Sequence, residues 1–180
     1  LVGEENGLEH VLYLNDNAHA EIACVDTGLT LFATGRDADG YLVGPEFGFN
    51  YERVASQWRM LRERGIPMVY GVYEPGHLRH AMYYVNAGMS TPGSMWDFYL
   101  IGDYGLTAME PIGTNGMKPS LESLYYYLWM IEEAQVTHPW YISIWGQGAL
   151  DDTGILRRAI ELGGHIKTGL ELFYDPDRNP

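Results

Sequence analysis

The chain holds a single cysteine among 180 residues. That excludes an intrachain disulfide framework and any multi-cysteine zinc or iron–sulfur site. Positive charge is also scarce: 11 Lys and Arg face 24 Asp and Glu, a formal net charge of −13. A surface of that sign repels a nucleic-acid backbone or an anionic membrane, so neither is expected as a partner. No apolar run approaches the ~20 residues of a membrane span. No secretory signal is legible, and a soluble, cytoplasmic protein is the expectation. The chain has no Gly-x-Ser-x-Gly elbow, no Walker loop and no His-x-His. Serine-hydrolase and nucleoside-triphosphatase chemistry therefore lack support.

What is plentiful is apolar and aromatic. Hydrophobic residues reach 46%, aromatics 13% with 14 Tyr, and there are 22 Gly. This is the composition of a folded chain with tight turns, not of a disordered one. At 180 residues it fits a single domain, or a large piece of one, with a sizeable core. It opens on Leu1 within a polar segment and ends on Asn179-Pro180 soon after a strand-like run. An excised part of a longer protein is the expectation.

Strand-like and helix-like segments alternate along the chain. Residues 20–25, AEIACV, read as a buried strand between turn residues. Residues 30–32 and 41–43 flank a Gly/Asp-rich stretch and read as a surface hairpin or extended loop. A helix is predicted over 51–64, with Val54, Trp58 and Leu61 on one face and Asn50 as its cap. Then follow a strand over 68–72, a helix over 76–87 and a strand over 97–101. A helix over 120–134 has Ser120 as cap and Glu122 in its first turn. A strand over 141–145, a helix over 152–162 and a strand over 165–169 complete the pattern. Strands separated by helices imply parallel pairing with right-handed crossovers. Two α/β architectures remain open, a doubly wound sheet and part of a (β/α)8 TIM barrel. Five units with a missing start favour the barrel, about its last five βα units, as one partial domain over 1–180.

In a barrel, chemistry sits just after each strand. Those positions hold Asp26-Thr27-Gly28-Leu29-Thr30, Tyr73-Glu74-Pro75-Gly76-His77, Gly146-Gln147-Gly148 and Leu170-Glu171-Leu172. A carboxylate such as Glu171 at a buried strand end is costly unless paired or bound to a cation. An ordinary loop glutamate is the alternative. His77 and His80 share a helix face at i, i+3, a spacing commoner in surface or capping residues than in ligands. Gly146-x-Gly148 lacks the third glycine of a dinucleotide fingerprint. It reads more plainly as a turn that lets a ligand or a loop approach the backbone. Cys24, inside a predicted strand, reads as a buried inert thiol rather than a nucleophile. Tyr125-Tyr126-Tyr127 fans over different helix faces and needs only core or subunit-interface packing.

Three segments carry a family resemblance. Gly163-Gly-His-Ile-Lys-Thr-Gly-Leu-Glu171 resembles the GGHVRVGLED run of the β-keto acid cleavage enzymes, the family that includes 3-keto-5-aminohexanoate cleavage enzyme. Gly65-Ile-Pro-Met-Val-Tyr-Gly-Val-Tyr-Glu-Pro-Gly-His-Leu78 is similar to its GI-x-PE-x-E-x-FD-x-GHL segment, and Ala20-Glu-Ile-Ala-Cys-Val-Asp-Thr-Gly28 to its PE-x-ASL-x-x-G strand. The resemblance spans about residues 20–175. It implies a TIM barrel with one divalent metal, zinc or another, held by an upstream His-x-His and by the glutamate at Glu171. An open fourth position would make this a catalytic site. It also implies acetyl-CoA as co-substrate, a β-keto acid as substrate, acetoacetate and a new CoA thioester as products, and a homo-oligomer, a tetramer in the family. Lys167 and Glu74 become the catalytic candidates. Cys24, Thr30, Gly146 and Gly148 become the substrate-binding ones.

The chain departs from the family pattern at several positions. Lys167 replaces an arginine and loses its planar fork. Leu172 stands where an aspartate follows the metal glutamate. Gly71 replaces an acidic residue, while Glu74 keeps a carboxylate at the family's aspartate position. Leu31 falls near an expected asparagine, where Thr30 offers a hydroxyl, and Cys24 takes a serine position. These losses keep open a non-catalytic barrel serving as a ligand-binding or assembly module. A barrel lyase with a Schiff base on Lys167 is a third reading. In isolation a five-strand piece is expected to be inactive and poorly soluble, with two open edges.

Overall fold

Apolar runs bounded by Gly, Pro and Asn become the strands, and the 3.6-residue periodic segments between them become the helices. A computed structural model describes residues 7–105, 111–146, 153–169 and 172. In chain order the elements are α1 (Glu9–Ala18), β1 (Ala23–Asp26), β2 (Leu29–Leu31), β3 (Gly35–Arg36), β4 (Leu42–Val43), β5 (Glu46–Gly48), α2 (Tyr51–Glu63) and β6 (Met68–Val72). They continue with α3 (Pro75–Asn86), β7 (Met95–Ile101), α4 (Leu121–Glu133), β8 (Trp140–Trp145), α5 (Ile155–Glu161) and β9 (His165–Lys167).

The main sheet has five parallel strands in the order β1-β6-β7-β8-β9. Each strand lies beside the next one in the chain, and the order never reverses among the described strands. A doubly wound sheet reverses at a switch point. The sequential order is the one a barrel wall has, although these five strands do not themselves close a barrel.

One face of the sheet carries Val25, Tyr70, Val72, Phe98, Leu100 and Ile142, and receives α2 to α5. Stacked rings tie the layers together. Trp58 lies on Tyr70 with centroids 4.7 Å apart, and Phe98 on Tyr127 at 4.9 Å. Of the three consecutive tyrosines, Tyr127 is buried in this core, while Tyr125 and Tyr126 are exposed. Every residue of β6, an interior strand of the sheet, is buried.

Helix starts follow the expected chemistry. The Asn50 side chain accepts a hydrogen bond from the Arg53 amide, and the Ser120 hydroxyl accepts one from the Ser123 amide. Each satisfies an orphan donor of a first turn. Ser120→Ala should cost about 1 kcal/mol of stability; a denaturation midpoint that does not move would refute that cap. The glycines of the Gly163-Gly164 pair serve packing. Gly163, at φ 83°, turns the chain out of α5. A Cβ on Gly164 would sit 2.2 Å from the Trp140 ring.

Two expectations are corrected and one is refined. Helix α1 forms within the polar opening, where no helix is predicted. The surface hairpin after β1 forms, as two antiparallel pairs, β2 with β5 and β3 with β4. Cys24 is exposed and not buried. Strand alternation turns it away from the helix-packed face that takes Ala23 and Val25.

Candidate active site

The second face of the sheet carries the polar side chains, in register. Asp26 pairs with Gly71, Gly71 with Asp97, Asp97 with Tyr141, and Tyr141 with His165. One layer closer to the strands' carboxyl ends lie Tyr99, Ser143 and Lys167, also in register. Tyr73, directly after β6, joins them: its ring stacks on Tyr99 with centroids 4.2 Å apart. The topmost layer is aromatic. The Phe32 ring is 6.3 Å from Trp145 and 5.2 Å from Phe47, and Leu172 is buried among these residues.

Two carboxylates sit in this stack, Asp97 fully buried and Asp26 half-buried. Neither Asp97 oxygen reaches a hydrogen-bond partner. Burial raises its pKa to about 6, while the nearby Ser143 and Tyr99 hydroxyls and the Lys167 charge offset part of the rise. Asp26 is also pushed up to about 6, first by burial and then by the charge of Asp97, with Tyr73 and Lys167 opposing. Tyr73 and Tyr99 are shifted upward, chiefly by burial, and stay protonated. The Lys167 ammonium lies 5.9 Å from the centre of the Tyr99 ring. A half-buried cation beside buried carboxyl groups can hold an anionic ligand and exchange a proton with it.

A second group lies at the strand ends. One Glu74 oxygen accepts hydrogen bonds from the Thr30 hydroxyl at 3.3 Å and from the Gly116 amide at 2.7 Å. Glu74 thus ties β2 and the 114–116 loop to the start of α3. A cleft of about 360 Å³ opens beside Thr30, Leu31, Glu74 and Asn115. Gly146 adopts φ 99° at the end of β8, and its amide donates to the Leu172 carbonyl. A Cβ there would stand 3.0 Å from the Gly105 oxygen, so the position suits close backbone approach.

Of the expected site residues, Thr30 and Glu74 meet directly. Lys167 stands with the buried carboxylates, and Gly146 closes the β8 end. Cys24 lies on the same face one layer below Asp26, away from the strands' carboxyl ends. Gly148 and Glu171 lie outside the described residues. His77 and His80 do not pair as ligands. Their rings bond the Leu29 and Thr27 carbonyls at 2.9 and 2.8 Å, beside a separate cleft of about 350 Å³. Among the described residues no three His, Cys, Asp or Glu side chains come together to hold a metal ion. The described part therefore does not by itself make a metal centre.

Asp97, Tyr99 and Ser143 are candidate site residues that the sequence reading passed over, and Asp26 stood in a strand-end segment that it singled out without giving this residue a role. One signal was present: Asp97 is a lone charge inside the apolar run MWDFYLI.

The sheet order, with polar residues gathered on its second face, defines an α/β protein with an enzyme-like site. The family model described as beta-keto acid cleavage enzyme matches residues 4–178, and the chain belongs to that family. No curated protein matches the chain. Among the described residues no helix is long and apolar enough to cross a membrane.

Proposed function

We propose that the protein cleaves a β-keto acid in an acyl exchange with acetyl-CoA, as part of a closed barrel, releasing acetoacetate and a new CoA thioester. Family membership supports the keto acid class. The observation that carries the reading is the placement of Lys167 in register with Ser143, with its charge acting on both Asp26 and Asp97. In this reading the ammonium pairs with the substrate's carboxylate or with the enolate that forms from it. Tyr73, Tyr99 and Trp145 exclude water above it, which strengthens that attraction. Glu74 and Thr30 shape the entrance, with Gly146, Gly148 and Cys24 as further substrate contacts. Glu171 is the proposed ligand of a divalent metal, which would polarise the keto oxygen. Glu171→Ala should then strip the purified protein of metal. Full zinc occupancy in that variant, by elemental analysis, would remove Glu171 from the reading.

One observation favours a second reading, a non-catalytic member of the family. Leu172 is 2% exposed and fills the aromatic layer above the carboxylates, at a position where the resemblance places an aspartate. Acetoacetate release from acetyl-CoA and a panel of β-keto acids separates the two. Turnover with any of them excludes the second reading; none with all of them favours it.

A further inference from the structure

Gly71 is the one member of its layer without a side chain, and it lies between the two aspartates. Asp26 is its register partner on one side and Asp97 on the other. The gap is used: a Cβ on Gly71 would stand 2.6 Å from Asp26 Oδ1. The Asp26 carboxylate therefore leans over Gly71 towards the strand that bears Asp97. Asp97 is fully buried with both oxygens unpartnered, and the Ser143 hydroxyl beside it is also fully buried and unpartnered. Unsatisfied polar atoms of this kind are costly in a folded core. A structure keeps them where a proton or a ligand supplies the missing contact. Asp26 is only partly buried, so it is the member of the pair that a ligand can reach.

We propose that Asp26 and Asp97 form a charge-coupled pair across Gly71, and that Asp26 is the base that takes the proton from the carbon between the keto and carboxylate groups of the substrate. This deepens the proposed function and rests on it. The C–H bond breaks, its electron pair becomes an enolate with charge on the keto oxygen, and an O–H bond forms on Asp26. The enolate carbon attacks the acetyl group and expels the CoA thiolate. That thiolate then attacks the original keto carbon, the old carbon–carbon bond breaks, and the proton returns from Asp26 to acetoacetate. No oxidant or reductant is needed. Asp97 is a positioning residue that acts through Asp26. The other titratable groups on this face are Lys167 and His165 on β9, Tyr141 on β8, Tyr99 on β7, Tyr73 after β6 and Cys24 on β1. Of these, Lys167 opposes protonation of both carboxylates. Burial raises both carboxyl groups, and the charge of Asp97 acting across Gly71 raises Asp26 further.

Two measurements test it. Infrared titration of ligand-free protein with 13C-labelled aspartate should show a protonated carboxyl persisting to about pH 6. Asp97→Asn should move the Asp26 titration downwards, because it removes a like charge. If Asp97→Asn does not fold, Gly71→Ala should also move it, by pushing the carboxylate aside. An Asp26 titration that neither change moves overturns the coupled pair. The second readout is exchange of the substrate's central C–H for deuterium, followed by NMR without acetyl-CoA. Asp26→Asn should slow it by about 10²- to 10⁴-fold. Asp97→Asn should keep it while shifting its acid limb to lower pH. Undiminished exchange in Asp26→Asn overturns the base. A coupled titration in a wild-type protein that exchanges no keto acid leaves the pair standing and refutes its catalytic use, so the two failures are told apart.

Discussion

Lys167→Met should lower turnover by about 10²- to 10³-fold with little change in fold, as loss of a group that stabilises developing negative charge does. Methionine keeps much of the length and packing of lysine but removes the charge. The site holds two carboxylates under a layer of aromatic rings, and Lys167 is the cation that acts on both. Without it an incoming carboxylate meets Asp26 and Asp97 with only neutral hydroxyls among the described residues to offset them. The loss should appear in kcat more than in KM, because charge develops on the enolate during reaction. Unchanged turnover would strike Lys167 from the mechanism. Borohydride trapping with the keto acid discriminates the remaining role: a stable adduct on Lys167 would replace charge stabilisation with Schiff-base chemistry.

Stability should fall as the pH rises from about 4 to about 6, and level off above that. Asp26 and Asp97 ionise at 3.8 when unfolded and at about 6 when folded. Between those values the folded state binds more protons than the unfolded one, so raising the pH favours unfolding. A rise from 3.8 to about 6 corresponds to as much as ~3 kcal/mol for each group, and the two effects add incompletely because the carboxylates interact. Urea midpoints across that range should trace the decline. In Asp97→Asn the curve should be visibly flatter, whatever the new amide does to its absolute level. A wild-type curve that rises through this window would mean that the carboxylates are paired and not merely buried.

Much of the framework was legible in the residues. The strand over 68–72 lies where periodicity and the flanking Gly-Ile-Pro put it, and the Asn50 and Ser120 caps both form. Cap chemistry and strand runs are local, so neighbouring residues decide them. The Lys167 segment and the Thr30 and Glu74 positions were legible through the resemblance of whole motifs. Helix α1 was missed because it has no side-chain cap and no buried residue, only an amphipathic spacing weak enough to read as loop. Cys24 was misplaced because a four-residue strand does not announce which of its faces meets the helices.

Sequence alone determined that strands and helices alternate, that parallel pairing follows, and which family the motifs resemble. These depend on composition and on spacings of a few residues. Only the tertiary structure decided that Asp26, Gly71, Asp97 and Lys167 share one face, because β1, β6, β7 and β9 meet there from positions up to about 140 residues apart. Register across strands is set by how the apolar face packs on the helices. A carboxylate acquires its environment, and so its chemistry, only when distant strands bring that environment to it.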